Sequence, residues 1–97
     1  MATLYVAEFE RPRNQWVEIG NAPPIAEQTV AIGGASVATT NAFNAKTAMI
    51  RVHTDVICSI AIAASPTATT TNMRMAANTT EYFSVMPNHK IAVITNT

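Results

Sequence analysis

Between Ala48 and Thr95 apolar side chains recur on alternate positions in short runs closed by turn-forming residues, and that pattern restricts the chain to sheet. In residues 48–54, Ile50 and Val52 fall on one face and Arg51 and His53 on the other, the two-residue period of a half-buried strand. Thr54-Asp55 breaks the run. Residues 56–63 follow with Cys58, Ile60 and Ile62 on one side and Ile57, Ser59, Ala61 and Ala63 on the other. Shorter runs at 73–75, 82–85 and 90–94 complete the set, with Pro87-Asn88 suited to the centre of a tight turn between the last two. The expected core is Ile50, Val52, Cys58, Ile60, Ile62, Phe83, Val85, Ile91 and Val93.

Ahead of this stretch the same period appears twice. Leu4 and Val6 oppose Thr3, Tyr5 and Ala7 in a first strand, and residues 28–32 form another, closed by Gly33-Gly34, where a positive φ or a bulge is permitted. Residues 35–47 are Ala, Ser, Thr and Asn around Phe43, and read as extended or loop with that ring anchored in the core. The 65–72 stretch is a polar connector and 76–80 a turn. Turn signals at intervals of roughly 8–12 residues, with no helical period, predict an all-β protein. The expected fold is a small antiparallel β-sandwich, jelly-roll-like or immunoglobulin-like, with an extended amino-terminal segment.

A chain of 97 residues forms one domain, and at that size folding buries only about 60–65% of the unfolded surface, so stability leans on partners. Six basic and six acidic residues cancel, and charged residues make up 12% of the chain. No basic field exists to attract nucleic acid or an anionic membrane. No apolar run approaches the roughly 20 residues that span a bilayer. No charged segment followed by an apolar one opens the chain in the manner of a secretory signal, so the expected setting is a cytoplasm or an assembly built there.

Six of the twelve charged side chains, Glu8, Glu10, Arg11, Arg13, Glu18 and Glu27, lie in the first 27 residues, which also hold Trp16 and the stiff Pro23-Pro24 pair. Residues 1–27 are therefore expected to form an extended arm or edge strand, and 28–97 the sandwich. Tyr5, Phe9, Arg11, Arg13 and Trp16 are the candidate interface residues, because Trp, Tyr and Arg combine large area with a polar handle. The alternative for Trp16 is a cap over the open end of the sandwich.

No catalytic site, cofactor site or metal site is expected. His53 and His89 stand far apart in sequence and form no spaced ligand set with Cys58 and Asp55. Asp55 reads as a turn carboxylate bonding nearby backbone N–H groups, Glu8 and Glu10 as a solvated face, and Cys58 as a buried, inert thiol. Nothing in the pattern calls for an enzyme.

The runs Ile50-Arg51-Val52-His53-Thr54-Asp55, Cys58-Ser59-Ile60-Ala61, Ser65-Pro66-Thr67-Ala68-Thr69, Met73-Arg74-Met75-Ala76-Ala77, Glu81-Tyr82-Phe83-Ser84-Val85 and Lys90-Ile91-Ala92-Val93-Ile94 resemble small virion proteins of tailed bacteriophages. The resemblance covers the last half of the chain and extends to Pro24-Ile25-Ala26-Glu27-Gln28. It implies a structural protein of the phage particle, a capsid decoration or cement protein of the β-sandwich kind, assembled into the virion in the host cytoplasm. The implied partners are the major capsid protein or another virion protein, with the chain itself a homodimer or homotrimer. A tail or connector accessory protein, and a receptor- or carbohydrate-binding β-module, are the alternatives. A receptor- or sugar-binding module of a tail fibre needs exposed aromatics on loops, and the 65–72 and 76–80 loops have none.

Overall fold

A computed structural model describes residues 2–10 and 24–96, which form eight strands in two antiparallel sheets of four. In the first sheet β2 (Ala26–Ala31), β1 (Thr3–Phe9), β4 (Met49–Thr54) and β7 (Thr79–Ser84) lie side by side in that order. In the second the order is β3 (Val37–Ala38), β8 (Lys90–Thr95), β5 (Cys58–Ala63) and β6 (Met73–Met75). Five of the seven connections pass from one sheet to the other, and only β1–β2 and β5–β6 join neighbours within a sheet. That is the connectivity of a jelly roll, permuted so that the strand between β2 and β4 comes first in sequence. It excludes the immunoglobulin-like arrangement, in which more of the connections are hairpins within a sheet.

The alternation explains the layers. Leu4 and Val6 of β1, Val30 of β2, Ile50 and Val52 of β4, Cys58 and Ile60 of β5, Met75 of β6 and Ile91 and Val93 of β8 point between the sheets and form one buried cluster with Phe43. Of the expected core, Ile62, Phe83 and Val85 are only half-buried against it, because they lie toward the side where β6 and β7 end the sheets.

Two expectations are corrected and two are made specific. The amino-terminal segment is no arm or edge strand as far as Phe9: β1 pairs with β2 on one side (Val6 opposite Gln28) and β4 on the other (Val6 opposite Val52), which makes it an interior strand. β7 begins at Thr79, not at Tyr82, since Thr79 and Thr80 pair with Thr54 and His53. Within the 35–47 stretch, read as extended or loop, Val37–Ala38 form the short strand β3; it pairs with Val93 and Ala92, a long-range contact that leaves no periodic mark on two residues. The left-handed backbone positions among the described residues fall on Asn78 (φ 56°) and Asn88 (φ 67°), not on Gly33 or Gly34. Asn88 follows Pro87 in a turn closed by His89 N donating to Met86 O at 3.4 Å, the arrangement of a type II turn.

The loop between β3 and β4 closes one end of the sandwich. Phe43 is 1% exposed there, held by Phe43 N donating to His89 O at 2.7 Å and Asn88 N donating to Phe43 O at 3.0 Å. The 64–72 connection lies across the outer face of the second sheet. Ala68, buried, donates its N–H to Ser36 Oγ at 2.8 Å, and Asn96 Nδ2 bridges Ser59 Oγ (2.7 Å) and Thr70 O (3.1 Å). The outward residues beneath it, Ser59 and Ala92, are small enough to let backbone approach and are fully buried. So one outer face of the sandwich is covered by its own chain, and among the described residues no segment covers the other, that of the first sheet.

Candidate functional site

On the open face the register of three adjacent strands brings six side chains around a depression of about 560 Å³, lined by Tyr5, Ala7, Glu27, Thr29, Arg51 and His53. Pairing fixes the rows. Tyr5 of β1 stands between Thr29 of β2 and His53 of β4, and Ala7 stands between Glu27 and Arg51. All six positions share the outward parity of their strands, so every described side chain around the depression stands on a strand. The methyl group of Ala7 makes the floor, and the longer side chains of its neighbours make the walls.

The rings of Tyr5 and His53 lie 6.1 Å apart, tilted by 44°. The His53 ring makes one hydrogen bond and has a carboxylate nearby. Its Nδ1 is 2.9 Å from the Thr80 hydroxyl on β7, and its Nε2 is 4.0 Å from Asp55 Oδ1 just past the end of β4. Asp55 therefore faces His53, and the turn it was expected to brace is braced by Thr54 instead, whose Oγ1 donates to Val56 O at 2.6 Å and accepts from Val56 N at 3.3 Å. On the far side of Arg51 from Ala7 stands Tyr82 of β7, 58% exposed.

Of the candidate interface residues, Tyr5 is in this depression and 44% exposed. Phe9 lies on the same outer face at the other end of β1, half-buried opposite Met49 of β4. Arg11, Arg13 and Trp16 lie outside the described residues. Glu27, Thr29, Arg51 and His53 were not singled out from the sequence as partners of Tyr5, because the only signal was strand parity and the register between strands is a tertiary property.

Glu8 is not on a solvated face. It follows Leu4 and Val6 inward and is 1% exposed. Its Oε1 accepts Asn44 N at 2.8 Å and the Thr47 hydroxyl at 2.7 Å, so it anchors the end-closing loop and takes no part in the open face. Cys58 is fully buried, its Sγ donating toward Thr54 Oγ1 at 3.5 Å, and burial pushes its thiol up from the ordinary value. Among the described residues no three His, Cys, Asp or Glu side chains converge in a way that could hold a metal ion.

A second surface lies along the side where β6 and β7 end the two sheets. β6 pairs with Cys58, Ser59 and Ile60 only, so among the described residues the rest of β5 has no strand on that side, and β7 is bonded to β4 alone. Met73 is 53% exposed, and Phe83 and Ile62 are half-buried. Of the five large apolar side chains exposed among the described residues, Met73, Tyr82 and Met86 lie on or directly after these strands. On the β2 side Gln28 and Asn41 exchange hydrogen bonds between side-chain amide and backbone, at 3.1 and 3.4 Å, tying β2 to the β3–β4 loop.

Comparison with protein families, with curated proteins and with solved structures finds no match to this chain.

Proposed function

We propose that this protein acts by contact and not by catalysis, as a structural component of a bacteriophage particle, and that its role there is capsid decoration. The particle assignment rests on the virion-protein resemblance of residues 50–94. The observation that supports a contact role is the β6–β7 side. It combines incompletely covered apolar side chains, Met73, Phe83 and Ile62, with strand β7, which has one neighbour among the described strands and presents its other edge. Exposed edges of this kind pair with other chains unless they are short, charged or covered. β7 is six residues long and carries one charge, Glu81.

The same edge in a second copy gives an isologous dimer by antiparallel pairing, and an edge on a capsid subunit gives a heterologous contact. Sedimentation of the purified chain at micromolar concentration tests the first. A dimer or trimer that Met73→Lys converts to monomer supports self-association through this side, and a wild-type monomer removes it. Mass spectrometry of purified particles tests the assignment to the head. Copy numbers comparable with the major capsid protein support decoration, a few copies point to a tail or connector accessory protein, and absence from particles overturns the reading.

A further inference from the structure

We propose that the depression on the open face of the first sheet is a binding site for a neutral oligosaccharide, with Tyr5 as the ring on which one sugar stacks. The argument rests on size, chemistry, charge and rigidity together. An opening of about 560 Å³ falls within the range of small-ligand sites, about 300–1,000 Å³. Its walls are amphipathic: a partly exposed tyrosine, with the His53 ring beside it and Ala7 as the floor. Around these stand a guanidinium, a carboxylate and a threonine hydroxyl, which between them offer both donors and acceptors. A pyranose has the complementary form, with C–H groups on a face and neighbouring hydroxyls around an edge, each both donor and acceptor.

Charge selects against the ionic alternatives. Glu27 and Arg51 flank Ala7 symmetrically in one row of the sheet, so their charges cancel over the floor of the depression. An acidic ligand reaching Arg51 also meets Glu27, and a cationic one reaching Glu27 also meets Arg51. A neutral polyol hydrogen-bonds both. The planar fork of the arginine and the two oxygens of the carboxylate each match a pair of adjacent hydroxyls.

The site is also built in advance. Each of the six residues sits on a strand paired within the sheet, and His53 is hydrogen-bonded to Thr80. Binding orders little backbone, which keeps the entropic cost low. The row continues past Arg51 to exposed Tyr82, which gives a chain of sugars a second ring to follow along the sheet. Tyr82 borders both surfaces, but the depression itself lies on the outer face of the sheet and not on the β6–β7 side, so the proposal stands apart from the contact role and from the particle assignment.

The test is an NMR titration of the ¹⁵N-labelled protein with maltotriose, cellotriose and mannotriose, beside trigalacturonate and the neutral peptide Gly-Ser-Thr-Ala. Each probe is taken to about 20 mM, enough to saturate a millimolar site. The expected result is saturable shifts from at least one of the neutral trisaccharides, centred on residues 5–7, 27–29 and 51–53. Tyr5→Ala and Arg51→Ala each weaken that binding at least about tenfold, while Met73→Ala leaves it unchanged. Because Tyr5 is exposed, its replacement should keep the dispersed spectrum of the folded protein; if it does not, Glu27→Gln serves, again with weakened binding expected. Four results overturn the proposal: no saturable shift with any neutral sugar, shifts centred elsewhere, tighter binding of trigalacturonate or of the peptide, or sugar binding that survives all three groove substitutions.

Discussion

The carboxylate of Glu8, on the interior strand β1, accepts the hydroxyl of Thr47 at 2.7 Å across 39 positions of sequence. Its partner Asn44 donates a backbone N–H to the same oxygen at 2.8 Å. This one acidic side chain therefore holds the loop whose ring, Phe43, fills the end of the core. The interaction joins a strand that carries the open face to the loop that closes the sandwich beneath it.

Removing that acceptor should destabilise the fold more than its single hydrogen bonds suggest. Glu8→Ala leaves the buried Thr47 hydroxyl unsatisfied, a loss of about 1–3 kcal/mol, with a smaller addition from the Asn44 N–H. Denaturant unfolding of Glu8→Ala, Thr47→Val and the double variant checks this. The two losses should be non-additive, because the second substitution removes a group already orphaned by the first.

Phe43→Ala should cost about 3–5 kcal/mol, the range for deleting a fully buried ring from a close-packed site. The side chain is 1% exposed and its backbone is bonded on both sides to the β7–β8 connection. A drop in melting temperature with the sheet circular-dichroism signature kept below the transition is the expected outcome; a change under about 1 kcal/mol would mean that the ring does not seal the core.

Cys58 should be inert in the folded protein. Its thiol is fully buried and held above its ordinary value of 9.0 by desolvation. Labelling by a disulfide reagent at pH 8 should proceed only at the rate of unfolding, and immediately in denaturant. The sign of the pH effect follows from the raised value: below about 9 both states keep the proton and the stabilisation is intact, while above it the unfolded chain loses its proton first. Stability should then fall with rising pH, by up to about 1.4 kcal/mol per pH unit, until the folded thiol also ionises. Cys58→Ser should abolish that part of the slope.

Asn78 and Asn88 occupy left-handed backbone at turns that cross between the sheets. Replacing Asn88 by Val should cost roughly 1–2 kcal/mol, because a β-branched side chain collides with its own carbonyl there. Asn88→Gly should be neutral to within about 1 kcal/mol, since glycine accepts the angle but adds freedom to the unfolded chain. Equal losses for Val and Gly would mean that the Asn side chain, and not its backbone angle, supports the turn.

The sequence by itself determined the strands and their inward faces wherever a run was long enough to show a period. Leu4 and Val6, Ile50 and Val52, Cys58 and Ile60, and Ile91 and Val93 were legible because parity is a local property that every residue of a strand reports. Strand β3 was not, since two residues cannot display a period and its pairing with Ala92 and Val93 is made more than 50 positions away. The same limit hid the role of Glu8: its parity with Leu4 and Val6 was plain, but a carboxylate turns inward only where donors wait for it, and Asn44 and Thr47 are brought there by the fold. Tertiary structure alone chose the open face. Both sheets have an outer surface, and the 64–72 connection covers the one whose outward residues, Ser59 and Ala92, are small enough for backbone to approach, leaving Tyr5, Glu27, Arg51 and His53 of the other sheet in the open. The register that gathers those four around Ala7 is set by pairing among three strands, and no single strand contains that information.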